Sequence, residues 1–256
     1  MTLEVTRDGA VAVVTINRPE RKNAFSLEMR RSFQPIFQDL SDDVDVRAIV
    51  LTGAGGDFSA GADIGEMGDG GVRGSMLKAR VLGRMVRGVG QTNKPVVAAV
   101  EGVCIGASFG VALASDFIIA AENARFQFAF RNIGLALDAA AGWLLERHVG
   151  VMRAKEIAYS GRFVSGIEAA QYGFALEALP AEQVLPRAME LAQSLASGPT
   201  LSLSQIKRQF DAHPGQTLSD ALDFEGAIQG LMTFTEDFKD ATTAFKEKRK
   251  PTFSGK

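Results

Sequence analysis

The chain has 256 residues, 46% hydrophobic and 23% charged, enough to bury one substantial core with a smaller appendage and unlike a disordered or fibrous sequence. Lys and Arg number 28 against 30 Asp and Glu, so no basic excess argues for nucleic acid or an anionic membrane surface, and any anionic ligand must be met locally. The single cysteine, Cys104, excludes an internal disulfide, and with only His148 and His213 beside it no metal site is expected.

The N-terminal segment carries charges throughout and lacks an apolar run ending in small residues, so a signal peptide is not expected. Residues 3–6 and 11–17, rich in β-branched side chains with Asp8-Gly9 between them, read as a hairpin ended by Pro19. From Ser26, an N-cap residue, the apolar positions Leu27, Met29, Phe33, Ile36, Phe37 and Leu40 recur near helical spacing, and Pro35 is expected to kink or divide that helix. Residues 46–52 return to strand. The glycine-rich stretch 65–75, with Gly68, Gly70, Gly71 and Gly74, reads as a mobile loop able to close over a ligand. Helical patterns at 75–91 and 107–115 alternate with apolar strands at 95–100 and 117–120, an order that favours parallel βαβ crossovers. No repeat of fixed period is evident.

The longest informative uncharged run, residues 102–115, is shorter than the ~20 apolar residues a bilayer crossing needs, so a cytoplasmic protein without membrane attachment is the expectation. Beyond residue 139 strand signals fade. Helices are expected over 139–148, 181–196, 201–210 and 218–248, with Ser197-Gly198-Pro199 parting the last two from the rest. The reading is an α/β core over residues 1–197 and a helical appendage over 198–256 whose apolar positions suit subunit contact.

Two glycine turns carry the chemistry. Phe58-Ser59-Ala60-Gly61-Ala62-Asp63-Ile64 follows a strand and opens a short helix near Asp63, and Glu101-Gly102-Val103-Cys104-Ile105-Gly106-Ala107 does the same ahead of a helix of small residues. Helix starts present unpaired N–H groups, which makes the amides of Ala62 and Ala107 candidate donors to one carbonyl oxygen. The plainer alternative is that strand, glycine and helix recur in every α/β fold, and that Gly102, Gly106 and Gly110 only permit close packing. Neither turn has the G-x-G-x-x-G spacing, so dinucleotide chemistry is not expected.

Taken together, Asn17-Arg18-Pro19 with Asn23-Ala24, then FSAGADI over 58–64, KPVVAAVEGVCIGASFGVALASD over 94–116 and the tail AFKEKRKP over 244–251 resemble the enoyl-CoA hydratase/isomerase (crotonase) family across nearly the whole chain. The resemblance implies a crotonase-like ββα spiral core, a C-terminal helical trimerisation region, a homotrimer or hexamer, and an acyl-CoA thioester substrate in which coenzyme A is part of the substrate, with no separate cofactor. It places the family's oxyanion donors on Ala62 and Ala107. Its adenine and phosphate contacts fall around Arg21, Lys22, Ala24, Ala60, Asp63 and Ile64, with Phe245 and Lys248 supplied by a neighbouring subunit. Lys248 reads equally well as an ordinary basic helix end.

Hydratases of the family use two glutamates, and the corresponding positions here are Gly110 and Phe130, which carry no protons. The remaining candidate is Asp138, where isomerases of the family carry a functional aspartate. One carboxylate facing a polarised acyl-CoA can take a proton from one carbon and return it two carbons away. A raised pKa would help, and Gly106, Phe109, Phe130, Leu137 and Trp143 are expected around the acyl group. The competing reading makes Asp138 the N-cap of the following helix, which would lower its pKa instead. The residues around Gly83 include no histidine base, against a dehalogenase. An acyl-CoA isomerase is therefore expected ahead of a hydratase or a non-catalytic CoA-binding protein.

Overall fold

The structure, a computed structural model, describes residues 3–66 and 70–256. Strands β1 (Leu3–Asp8) and β2 (Val11–Ile16) pair antiparallel through a turn that Gly9 enters at φ 58°. Ser26 then caps α1 (Leu27–Asp42), its Oγ accepting from the Met29 N–H at 3.1 Å. The expected division at Pro35 is corrected: α1 runs undivided, because Pro35 lies on the exposed face, where the carbonyl that loses its partner is open to water.

The chain continues through β3 (Ala48–Gly53), α2 (Gly71–Gly90), β4 (Val96–Val100), β5 (Val103–Ile105), α3 (Ala107–Leu113), β6 (Phe117–Ala121), β7 (Arg125–Gln127) and α4 (Ala141–Ser160). It ends with β8 (Val164–Ser165), α5 (Gly166–Tyr172), β9 (Glu177–Leu179), α6 (Ala181–Ala196), α7 (Thr200–Ala212), α8 (Leu218–Met232) and α9 (Glu236–Glu247). The large sheet has the order β1-β2-β3-β4-β6-β9, parallel throughout except for the first pair. A second sheet has the order β5-β7-β8.

The path is a spiral of ββα turns. β4 enters the large sheet, β5 the small one, and α3 follows; β6, β7 and α4 repeat the step. Earlier turns do the same in shortened form, because Phe25 bridges to Ala62 between β2 and α1, and Ser59 bridges to Cys104 between β3 and α2. The repeat is absent from the sequence as a period because the connecting lengths differ at each turn. The crotonase-like core expected from the motifs is present. Val96–Val100 is buried on both faces, as a parallel strand between helices should be, and α6 lies across the sheet with Val184, Ala188, Ala192 and Ala196 inward at a spacing of four.

Several expectations are corrected. β8 and β9 lie beyond residue 139, too short to announce themselves without the neighbours they pair with. The stretch 218–248 is two helices, because Thr235 caps a new one at Glu236. Helix α2 begins at Gly71, so Gly71 and Gly74 belong to it rather than to a loop, while Gly68 lies outside the described residues. Arg47 ties the C-terminal helices to the core: its guanidinium donates to Thr200 Oγ1 at 2.7 Å, to the Gly198 carbonyl at 2.6 Å and to the Phe253 carbonyl at 3.1 Å. Among the described residues no helix is long and apolar enough to cross a membrane.

Candidate active site

The two glycine turns, more than forty positions apart in sequence by their numbering, lie side by side. The Ser59 N–H donates to the Val103 carbonyl at 2.9 Å and the Ile105 N–H to the Ser59 carbonyl at 3.1 Å. Ser108, fully buried at the start of α3, locks the pair: its hydroxyl donates to the Ser59 carbonyl at 2.7 Å and accepts from the Ile105 N–H at 2.8 Å.

Almost every other amide of the two turns is used internally. The Ala60 N–H donates to the Lys22 carbonyl (2.8 Å), Gly61 to Ser59 Oγ (3.1 Å) and Asp63 to the Phe25 carbonyl (3.0 Å). In the second turn Gly106 donates to the Gln127 carbonyl (2.8 Å) and Phe109 to the Gly106 carbonyl (3.1 Å). The amides of Ala62 and Ala107 have no acceptor among the described residues. The flanking peptides of Ala62 bond Phe25 on one side, which turns its own N–H to the other.

Gly61 makes the approach possible. At φ 87° it backs onto the second turn, and a Cβ there would run into the Ile105 carbonyl oxygen and stand 3.5 Å from the Ala107 nitrogen. Gly106, at φ 61° and ψ −119°, occupies a backbone region that side chains rarely enter, and so sets the direction of the amide that follows. Two unpaired amides in abutting turns can receive a negatively charged oxygen.

Asp138 stands between the short 3-10 helix Ala129–Ile133 and α4. The cap reading is corrected. The N-cap position of α4 is Ala140, no side chain caps it, and Asp138 contributes only its backbone carbonyl, which accepts from the Ala141 N–H at 3.0 Å. The helix starts at Ala141 rather than 139 because Ala139 and Ala140 are both left-handed, at φ 52° and 54°, a conformation costing about 1–2 kcal/mol each for a residue with a Cβ. Asp138 Oδ1 is buried without a hydrogen-bond partner among the described residues, and burial pushes the carboxyl above its ordinary value, against the opposing pull of the Arg30 guanidinium.

Of the residues expected around the acyl group, Phe130 is buried beside the second turn: its Cζ would lie 3.9 Å from a Cβ placed on Gly106. Phe109 belongs instead to the core, within 4.6–5.3 Å of the rings of Phe126, Phe128 and Phe174. Leu137 packs against Gly142 of α4 and is 42% exposed. Trp143 is 55% exposed with the Arg147 guanidinium 3.9 Å over its ring.

Near the first turn, Arg21 and Lys22 are exposed, Ala24 and Ala60 are half-buried, and Ile64 is exposed. Lys22 Nζ lies 3.5 Å from Asp57 Oδ2. The Asp63 carboxylate is already engaged by Arg18 Nη1 at 2.7 Å, which holds it below its ordinary value despite burial. Phe245 and Lys248 are exposed at the end of α9, away from this cluster in sequence, with Lys248 left-handed at its C-cap. No group of three or more His, Cys, Asp or Glu among the described residues is arranged to hold a metal.

Two residues here escaped the reading of motifs. Arg30 sits on the buried face of α1 with Phe33 and Phe37, its side chain only 3% exposed, and its Nη2 meets Glu66 Oε2 at 2.8 Å. The available signal was a charge at helical spacing among apolar positions.

A family model described as "Enoyl-CoA hydratase/isomerase" matches residues 6–256. The chain is 35% identical to the "1,2-epoxyphenylacetyl-CoA isomerase" of Escherichia coli (strain K12), covering 96% of this chain and 95% of that one. It is also 35% identical to a "Probable enoyl-CoA hydratase" of Rhodobacter capsulatus, with the same coverages of 96% and 95%. Among solved structures, that of an enoyl-CoA hydratase from Bacillus anthracis superposes with a TM-score of 0.95 at 29% identity, covering 100% of both chains.

Proposed function

We propose that this chain, which belongs to the enoyl-CoA hydratase/isomerase (crotonase) family, is an acyl-CoA isomerase that moves a double bond, or rearranges a ring acyl group, through a thioester enolate. The observation that carries the reading is Asp138: a half-buried aspartate with one buried, unpartnered carboxylate oxygen, not spent on capping α4, whose carboxyl is pushed above its ordinary value by burial.

The thioester oxygen accepts from the amides of Ala62 and Ala107. Charge that gathers on it as a proton leaves the neighbouring carbon is then stabilised, each donor contributing on the order of 3 kcal/mol in the transition state. Asp138 takes that proton and returns it two carbons along. The electron pair of the broken C–H bond enters the enolate and flows back into the shifted double bond, so no water and no second acid enter the balance. Gly110 and Phe130 offer none. Coenzyme A is carried by the substrate; Arg21, Lys22, Ala24, Ala60, Asp63 and Ile64 are the residues proposed around its adenine and phosphates.

A homotrimer or hexamer is part of the same proposal, with residues 198–256 as its contact region. Phe210, Leu218, Phe234 and Phe245 leave most of their apolar surface exposed on α7–α9 and the turn after α8. In an assembly, Phe245 and Lys248 would reach the CoA of a neighbouring copy.

The test is solvent-deuterium incorporation into linear and ring enoyl-CoA esters, read by mass spectrometry. Exchange and double-bond migration without net hydration are expected, and Asp138→Asn should slow both by at least about 100-fold. Hydration of crotonyl-CoA at a comparable rate would replace this reading with a hydratase, and binding without any exchange would replace it with a non-catalytic CoA-binding protein.

A further inference from the structure

Ser108 is the one polar side chain of α3, a helix in which every residue is buried, so its hydroxyl must find its partners inside the protein. It does not cap the helix it belongs to, whose N-cap is Gly106. Its oxygen accepts from the Ile105 N–H at 2.8 Å, and its single proton has two carbonyls in reach, Ser59 at 2.7 Å and Ile105 at 2.9 Å. The nearer one lies across the gap, in the first turn.

That bond is placed where the aim of the amides is set. Ser108 follows Ala107 directly, and Ser59 stands three residues ahead of Ala62. Ser59 is itself fully buried and fixed: its Oγ donates to the Asn23 carbonyl at 2.7 Å and accepts from the Gly61 N–H at 3.1 Å. The backbone bonds between the turns, from Ser59 N–H to Val103 and from Ile105 N–H to Ser59, hold β5 and stop short of Gly106. Ser108 ties down the chain beyond Gly106, and among the described residues no other side chain of α3 bonds to residues 58–64. The hydroxyl is not needed to satisfy the backbone. Without it the Ser59 carbonyl keeps the Ile105 N–H at 3.1 Å, and neither group is orphaned. What its loss removes is the tie between the turns.

We propose that Ser108 is a positioning residue: through the Ser59 carbonyl it holds the start of α3 against the first turn, so that the amides of Ala107 and Ala62 reach one thioester oxygen together. A few tenths of an ångström decide the strength of such a bond, and donors that are fixed in advance stabilise developing charge without having to reorganise. Gly61 permits the approach of the turns, its added Cβ standing 3.5 Å from the Ala107 nitrogen, and Ser108 maintains it.

The inference rests on the acyl-CoA reading above and is tested on the carbonyl itself. Butyryl-CoA, which has no double bond to move, is labelled with carbon-13 at its thioester carbonyl, and the stretching band of the bound ligand is read by isotope-edited infrared spectroscopy. Hydrogen bonds to the oxygen lower that frequency. In the parent the band should lie below its position for the free ligand. In Ser108→Ala the displacement should shrink by about half, as one of two donors loses its aim, while the dissociation constant stays within about threefold. Ser108→Cys fills the space with a weak donor, so its band should fall with alanine and not with the parent. If alanine does not fold, cysteine against the parent makes the same comparison. A band unmoved in the variants, a cysteine band matching the parent, or loss of binding in both variants overturns the role of Ser108 while the acyl-CoA site stands. No displacement in the parent, or no binding by it, overturns the oxyanion reading as well.

Discussion

The backbone of Ala139 fills the space that a side chain at Gly110 would need: a Cβ there would stand 2.5 Å from the Ala139 carbonyl oxygen and 2.9 Å from the Ala139 Cβ. The loop that carries Asp138 and the helix that follows the second turn are therefore packed through a glycine, and a glutamate on α3 at this point is incompatible with the loop as it lies. Gly110→Glu is expected to lower stability by about 3 kcal/mol or more, with a fall in melting temperature of several degrees, and to gain no crotonyl-CoA hydration. A stable variant with new hydratase activity would show that the loop yields freely.

The Asp138 carboxyl titrates above the ordinary aspartate value because burial penalises its charged form, and Arg30 only partly offsets this. In the proposed reaction Asp138 acts as the base and must be ionised, so the proposed isomerase turnover should rise with pH through that elevated pKa and level off above it. Removing the cation in Arg30→Met should move the rising limb to higher pH. Stability runs the other way. The folded state holds this proton more firmly than the unfolded one, so stability falls as pH climbs from the ordinary aspartate value to the raised one. Asp138→Asn should accordingly melt higher than the parent at neutral pH and match it near pH ~3, below the unfolded aspartate value. Thermal melts across that range check the sign.

Gly61 and Gly106 should fail for different reasons when replaced by alanine. At Gly61 the added methyl meets the Ile105 carbonyl and the two turns must part, so both folding stability and turnover are expected to drop. At Gly106 there is room, the nearest atom being Phe130 Cζ at 3.9 Å, but φ 61° with ψ −119° is strained for alanine. Gly106→Ala is expected to stay folded while the Ala107 amide is misdirected, lowering kcat about 100-fold with a much smaller change in KM. Steady-state kinetics beside a melting curve separate the two cases.

Ala140 holds a left-handed conformation at an exposed position ahead of α4. Ala140→Gly removes that strain, at the cost of a looser unfolded chain, so its stability should lie within about 1 kcal/mol of the parent and on the stabilising side. The same change frees the loop that aims Asp138, and isomerase turnover should fall. A variant equally stable and equally active would mean that the strain has no part in placing the carboxylate.

Sequence alone went far with this chain because its informative features are local. The hairpin at Gly9, the Ser26 cap, the buried strands and the helix starts after Gly61 and Gly106 follow from dihedral preference, capping and hydrophobic period, each readable within a few residues. The motifs around the two turns also carried the family. β8 and β9 were not legible, since two or three residues become a strand only when a neighbour pairs with them. Phe109 looked like pocket wall because side-chain type says nothing about which face of α3 meets the core, and three other phenylalanines claim it.

The neighbours of Asp138 were decided only in three dimensions. An aspartate before a run of alanines is a good cap by local rules. Two left-handed residues and the packing of Ala139 on Gly110 withdraw it from that task and leave its charge in a place that penalises it. Local preferences are short-ranged and so are written in neighbouring letters. Desolvation and charge coupling depend on which distant segments meet, and only the folded chain sets the two glycine turns side by side, pairs Arg30 with Glu66 and packs Ala139 on Gly110.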